Sequence, residues 1–324
     1  MSSTPQTWLI TGGAGYIGAH IADEFLSNGK KVVIYDSLYQ GLESRIQYLR
    51  TKHDTHIPLI IADIRDLATF EQTLKEHNIY GIIHTAALKA VAESVEKPDE
   101  YMDVNFHATV AILEIAKSNK IKNFIFASTA AVYGSPDSTE LIKESDPTNP
   151  VSPYGESKLL AEGAVNEFLS IPGNKGSSLR FFNVIGTASQ ELLDNSRENL
   201  VPIVINALQL NQSPTIFGGD YPTPDGTCIR DYVDVRDIAR AHLKVAESQI
   251  PLPQALNIGT GRGYSVLEVV NTIARDNPTS VTPVVSDRRT GDSSQLCANV
   301  SLATSSLNFF SQYSFQESIS SLSR

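Results

Sequence analysis

Thr129, Tyr154 and Lys158 are the residues of this chain whose types and order suggest proton chemistry. The first lies in "FIFASTAAVYG" beside Ser128, the other two in "SPYGESKLLAEG". Tyr154 and Lys158 stand four apart and share one face of a helix. Ser152 and Pro153 suit that helix's cap and first position. A tyrosine near pKa 10 is a poor base at neutral pH, but a nearby ammonium favours the phenolate and lowers that value. Ser128 and Thr129 end an apolar strand, where parallel sheets bind their ligands. The Tyr–Lys pair alone is weak, because two such residues on an exposed helix face are common.

A second stretch gives the pair a partner. "TWLITGGAGYIGAH" carries Gly12, Gly15 and Gly18 between a strand and a helix. The first glycine permits a tight turn, the next lets the backbone approach a pyrophosphate, and the last lets helix and strand pack closely. The helix N-terminus offers free N–H groups and a favourable dipole to phosphates. A turn used only for packing is the plainer alternative. Asp36 weighs against it, since it ends the second strand about 20 residues past the turn, where a carboxylate binds a ribose diol. That carboxylate would repel a 2′-phosphate, and no arginine follows directly in "YDSLYQG", so NAD is expected over NADP. A dinucleotide turn followed by hydroxyl, tyrosine and lysine makes a hydride-transfer constellation.

The elements around these residues alternate. "TWLIT", "KVVIYD", "PLIIAD", "GIIHTA" and "NFIFAST" read as strands. "GAHIADEFLSNG" reads as a helix closed by Gly29, and "LATFEQTLKEHN" and "DEYMDVNFHATVAILEIAKS" are also helical. Continuously apolar strands separated by helices indicate a parallel sheet covered on both faces. From about Leu179 the pattern loosens, and loops such as "FGGDYPTPDGT" separate shorter elements. The expected fold is α/β: a Rossmann-type doubly wound parallel sheet with a smaller C-terminal α/β substrate domain. The expected division is 1–178 for the NAD-binding domain, with about 230–260 packing back onto it, and 179–324 for the substrate domain. The Ser-rich end carries little signal.

Length and composition agree with two soluble domains. The chain has 324 residues, 41% hydrophobic and 19% charged, as in globular proteins. A net charge of −10 argues against a nucleic-acid surface. Phosphates must then be met by local arginines and backbone N–H groups. Two cysteines, Cys228 and Cys297, are too few for a disulfide scaffold. No apolar run approaches a membrane span, and "MSSTPQTW" lacks a secretory pattern. A cytoplasmic protein is expected.

Together "TGGAGYIGAH", "ASTAAVYG", "SPYGESK", "LRFFNVIG", "HTAALKAVAESVEKP", "DYPTPDGTCIRDYVDV" and "RRTGD" resemble the extended short-chain dehydrogenase/reductases, and within them the UDP-glucose 4-epimerase family. The resemblance runs from about Leu9 to about Asn299. It implies NAD-dependent 4-epimerisation of a UDP-sugar through a transient 4-ketose. It places Gly12, Gly15, Tyr16, Ile17 and Gly18 at the pyrophosphate, Asp36 at the adenosine ribose, and Asp63 and Ile64 at the adenine. Lys89 would reach cofactor phosphate or ribose, with Asn105 near it. Thr129 takes the catalytic Ser/Thr position, Tyr154 is base and acid, and Lys158 tunes it while binding the nicotinamide ribose. Phe182 and Asn183 would line cofactor and sugar sites. Asn199 and Leu200 would form the uridine loop, and Arg230, Arg289 and Asp292 would hold diphosphate and ribose. Leu296 falls where the family limits space beside the sugar's 2-substituent; leucine in place of tyrosine implies that N-acetylated sugars are also accepted. The family further implies a homodimer through the helices near Asp99–Lys117 and Tyr154–Leu169.

Other features carry plainer expectations. His84 is read as a packed or cofactor-adjacent histidine, and His53 and His56 as exposed loop; the seven histidines show no metal spacing. "NIGTGRGYS" is not read as a second nucleotide loop, since no strand-end acid follows it. Asp225 and Asp231 flank a loop that is expected to order Arg230. Among rival functions, a 4,6-dehydratase needs an Asp-Glu pair directly after the hydroxyl residue, where this chain has Ala130 and Ala131. A decarboxylase or an oxidoreductase releasing NADH stays open. An NAD-sensing binding protein would not need the Thr129–Tyr154–Lys158 set.

Overall fold

The structure is a computed structural model that describes residues 6–136, 140–196, 198–276, 281–289 and 292–322. The chain runs β1 (Thr7–Thr11), α1 (Tyr16–Ser27), β2 (Lys31–Asp36), α2 (Glu43–His53), β3 (Leu59–Ile61), α3 (Leu67–Glu76) and β4 (Gly81–His84). Next come α4 (Val91–Glu96), α5 (Pro98–Met102), α6 (Ala108–Ser118), β5 (Asn123–Thr129), α7 (Pro153–Leu169), β6 (Lys175–Phe181) and β7 (Asn183–Ile185). Then follow α8 (Leu200–Gln209), β8 (Thr215–Phe217), β9 (Ile229–Asp234), α9 (Val235–Glu247), β10 (Ala255–Ile258), β11 (Gly263–Ser265) and α10 (Val266–Asp276). β12 (Val284–Ser286), β13 (Gln295–Leu296), α11 (Ser301–Leu307) and α12 (Phe315–Ser321) complete it.

Seven parallel strands form the large sheet in the order β10-β6-β5-β4-β1-β2-β3. Alternation along each strand fills two cores. Trp8 and Ile10 of β1 pack with Phe25 of α1, Ile46 of α2 and Ile238 of α9. Leu9 points the other way, to Phe70 of α3, Ile112 of α6 and Val165 of α7. With both faces covered, each strand reads as an unbroken apolar run. The strand order reverses between β1 and β4, which opens a crevice at their carboxyl ends. β6 passes through position 178, α9 packs on α1 and β10 joins the large sheet's edge.

The second lobe is smaller and mixed. β9 pairs with β7 and β13 in parallel and with β11 antiparallel, while β8 and β12 form a separate pair. The serine-rich end is ordered through α12. Ser314 and Glu317 form its capping box, Phe315 stacks on Tyr264 at 4.2 Å, and the Ser318 hydroxyl donates to Asp234. These serines cap and tie a short helix, a role that composition does not reveal.

Three local readings change. The helix expected over 99–118 is broken by a π-helical segment, Asp103–His107, between α5 and α6. Its Asn105 accepts from Leu88 N–H at 2.8 Å and donates to Leu88 C=O and Ser157, so the irregular turn serves a buried amide. α2 has no counterpart in the sequence reading, because its apolar face is weak. His53, expected in exposed loop, ends α2 and meets Asp23 at 2.7 Å, whereas His56 is exposed.

Candidate active site

The glycine turn sits at the crevice. Gly12 has φ +69°, and a Cβ there would lie 2.7 Å from Ala86 N; one on Gly18 would lie 2.3 Å from Gly12 O. Side chains are thus excluded by backbone on both sides. Gly15 begins α1 with no side-chain cap, leaving the first helical N–H groups directed at the crevice. Asp36 closes the turn from the side: its carboxylate accepts from Ala14 N–H at 2.9 Å and Leu38 N–H at 2.8 Å. Burial raises its pKa against those donors.

One cavity of about 870 Å³ runs along these strand ends. Gly12, Gly15, Tyr16, Ile17 and Gly18 line its middle, and Asp36, Asp63, Ile64 and Lys89 also face it. Ser128, Tyr154 and Lys158 line it too. Asp63 is engaged with Arg65, which pairs with it at 2.8 Å and holds its pKa low. Asn105 is buried behind Leu88 and does not line the cavity.

Tyr154 and Lys158 sit on α7, whose Ser152 cap accepts from Gly155 N–H at 3.2 Å and whose first residue is Pro153. Thr129 ends β5 and hydrogen-bonds the Tyr154 phenol, while accepting from Ala131 N–H at 3.1 Å. Burial raises the phenol's pKa and Thr129 lowers it. Lys158, four residues further along α7, is also buried. Its ammonium lies over the Phe126 ring, 4.0 Å from the centroid, and burial brings its pKa down to about 7 against the opposing pull of Glu162.

A polar network lies behind Lys158. Glu162, one turn further along α7, accepts from Ser128 at 2.5 Å and from Arg180 at 2.6 and 3.0 Å. Arg180 also donates to the Tyr133 hydroxyl, which donates to Asn257 at 2.7 Å. His84 is the packed histidine: Thr11 and Thr109 hydroxyls occupy its two nitrogens at 2.7 and 2.9 Å. Burial and the Lys158 charge push its pKa down to about 3.

The second lobe supplies the remaining expected residues outside the cavity wall. Phe182 is buried with Ala130 and Tyr133, and Leu296 packs against that cluster. Leu296 pairs in register with Arg230. Asn183 lies on β7 opposite Tyr232. Asn199 caps α8 and donates to Asp194 at 2.6 Å, and Leu200 is the first residue of that helix. Arg289 stacks over Phe217 at 4.0 Å.

The acids around Arg230 take separate partners. Asp292, at 3.3 Å, is the acid on Arg230, which also donates to the Ile229 and Ser293 carbonyls. Asp225 instead binds Thr227 and Ser265. Asp231 is buried under the "NIGTGRGYS" loop and accepts from Thr260 N–H, Gly261 N–H and the Thr260 hydroxyl. That glycine loop therefore spends its N–H groups on the chain's own carboxylate. Sequence reasoning also missed Arg45 on α2 and Asp194–Ser196 from the second lobe, all of which face the cavity. No motif spacing flags them, since they meet only by tertiary contact.

Residues 8–259 match the family model for the NAD dependent epimerase/dehydratase family. The chain is 36% identical to UDP-glucose 4-epimerase 4 of Oryza sativa subsp. japonica, over 98% of this chain and 89% of the relative. It resembles the crystal structure of UDP-glucose 4-epimerase from Bifidobacterium longum in complex with NAD+ and UDP, with a TM-score of 0.91 and 34% identity over 98% and 97% of the two chains. It also resembles the UDP-Glc/GlcNAc 4-epimerase of Campylobacter jejuni, with a TM-score of 0.84 and 30% identity over 98% of each chain. With the glycine cradle, Asp36, Tyr154 and Lys158 lining one crevice and Thr129 at the end of β5, the chain belongs to the NAD dependent epimerase/dehydratase family.

Proposed function

We propose that the protein interconverts UDP-glucose and UDP-galactose at carbon 4 with bound NAD. The carrying observation is the single cavity that joins the glycine turn and Asp36 to Tyr154 and Lys158. Its residues fit a dinucleotide: a cradle that any Cβ would fill, an acid for the ribose, and a buried cation near the reacting end. Lys89, Asp63 and Ile64 complete the adenosine side. NAD, when bound, supplies a reversible hydride acceptor for the sugar's carbon 4.

The chain's own groups do the rest. Tyr154 takes the proton of the 4-hydroxyl and returns it, with Thr129 holding the phenol. Lys158, poised near neutrality, adds positive charge on that side. The 4-ketose turns about its diphosphate tether and is reduced on its other face, so no net oxidation results. Asn199 and Leu200 hold uridine, Arg230, Arg289 and Asp292 the diphosphate and ribose, and Phe182 and Asn183 the sugar. Planar guanidinium forks suit a diphosphate. Ala130 and Ala131 offer no proton for water elimination.

Leu296 packs against the Ala130–Phe182 cluster, and with leucine where the family resemblance places a larger residue we take the N-acetylated pair as a further substrate. Among the described residues, no helix is long and apolar enough to cross a membrane. From the two cysteines we assign a cytoplasmic location, and from the family resemblance a homodimer joined through the α5–α6 and α7 helices. The functional division falls between a dinucleotide lobe and a nucleotide-sugar lobe. The test is incubation with UDP-galactose, following UDP-glucose by a coupled dehydrogenase. Formation of UDP-glucose without net NADH release supports epimerisation. NAD-loaded protein that forms none would reject it.

A further inference from the structure

Arg45 is a buried cation without an anionic partner. It is 2% exposed, and among the described residues no carboxylate comes within ion-pair distance. Its Nη1 donates to Ala14 C=O of the glycine turn at 3.1 Å, and its Nη2 to Leu193 C=O at 2.6 Å. Its Nε has no partner. Leu193 belongs to a strap from the second lobe that crosses the turn. Tyr16 OH donates to Gly186 C=O at 2.6 Å, and Ala188 N–H donates to His20 at 3.1 Å. Leu192 is anchored in the core beside α1 and α2. The strap continues into Asp194, Asn195 and Ser196, which face the same cavity as Arg45.

A guanidinium bonded only to carbonyls has its dipolar needs partly met and its charge uncompensated. Burying such a charge is costly unless an anion completes it. Burial lowers the pKa of Arg45, and Asp194 and Asp36 favour the charged form from a distance. A chain with net charge −10 has reason to keep such a cation beside a phosphate cradle. We propose that Arg45 is a cofactor-retaining residue, whose guanidinium ties the second-lobe strap to the glycine turn and is neutralised by the pyrophosphate of the bound dinucleotide. The inference rests on the NAD-binding reading above and goes beyond it, because no glycine-turn spacing points to α2.

The charge argument predicts a crossing pattern. Replacing an unpaired buried charge with an apolar side chain of similar volume is neutral or stabilising, so Arg45→Met stripped of cofactor should melt at or above the temperature of stripped wild type. Its stabilisation by added NAD should shrink. By calorimetric titration, its NAD dissociation constant should rise about tenfold or more, the loss of one charge-assisted contact. Arg45→Lys should recover most of that affinity, and Arg45→Gln, which keeps a donor and loses the charge, should recover less. Wild-type affinity should fall with salt more steeply than that of Arg45→Met or Arg45→Gln. Folded Arg45→Met with NAD affinity within twofold of wild type would overturn the proposal, as would equal affinity in the Lys and Gln variants. A wild-type protein that binds no NAD would overturn the cofactor reading and this inference together.

Discussion

Glu162 and Asp292 each face an arginine across the site, in opposite settings. The Glu162 and Arg180 side chains are 3% and 8% exposed and meet through two short contacts, and Glu162 also accepts from the Ser128 hydroxyl. Asp292 is 36% exposed and touches Arg230 once, at 3.3 Å. Arg288 pairs with exposed Asp220 and covers Tyr221, and Arg289 rests on Phe217. The first end holds a proton-transfer geometry in place before any ligand arrives. The second sets Arg230 and Arg288 against acids that are 36% and 77% exposed, pairs that solvent screens and that the diphosphate of the proposed substrate can replace. Under the proposed function, chemistry falls in the packed half and recognition in the loosely paired half.

The largest effect should come from the packed end. Tyr154→Phe should lower kcat by about 10²–10⁴-fold and leave UDP-sugar binding nearly unchanged, since proton transfer belongs to the chemical step alone. Steady-state kinetics with a separate UDP titration checks this, and near-normal turnover would remove Tyr154 from its role.

Stability should divide the two pairs next. Glu162→Gln leaves Arg180 buried and uncompensated, at a cost of about 3–5 kcal/mol. Asp292→Asn breaks a half-exposed contact and should cost at most about 1 kcal/mol. Urea unfolding of both variants measures the gap, and similar costs would erase the distinction.

Acid should attack the large-sheet half. His20, His84 and His242 are held neutral by burial, with pKa values near 4, 3 and 4. Each is depressed below its unfolded value of 6.5, so the unfolded chain binds more protons as pH falls through that range. Stability is therefore lost from about pH 6.5 down towards pH 4, with up to about three protons taken up on unfolding. Melting temperatures between pH 7.5 and 5 check the sign; a flat profile would mean that these rings are protonated in the fold.

Asp36→Ala removes the acceptor for Ala14 and Leu38 N–H groups as well as the charge facing a 2′-phosphate. NAD affinity should fall by about tenfold and discrimination against NADP should weaken, as read by titration with each cofactor. Unchanged preference would place the discriminating group elsewhere.

The smallest effect belongs to the recognition end. Leu296→Tyr should depress kcat/KM for UDP-N-acetylglucosamine by about tenfold relative to UDP-glucose, because a clash falls on one substrate alone. Equal losses on both substrates would show that Leu296 only packs against the Ala130–Phe182 cluster.

By itself the sequence determined what depends on neighbours along the chain. Apolar runs specify strands, a glycine at every third position specifies a close-approach turn, and Ser152–Pro153 starts the helix that carries Tyr154 and Lys158. These signals are local, so they survive without knowledge of the fold. Only the tertiary structure decided what is set by residues distant in sequence. It brought Arg45 under Leu193, gave Arg230 its partner in Asp292, and turned the second glycine loop onto Asp231. It also set the state of the chemical pair, because burial rather than helix spacing governs the Tyr154 and Lys158 protons. Desolvation depends on everything packed around a group, and no spacing along the chain encodes that.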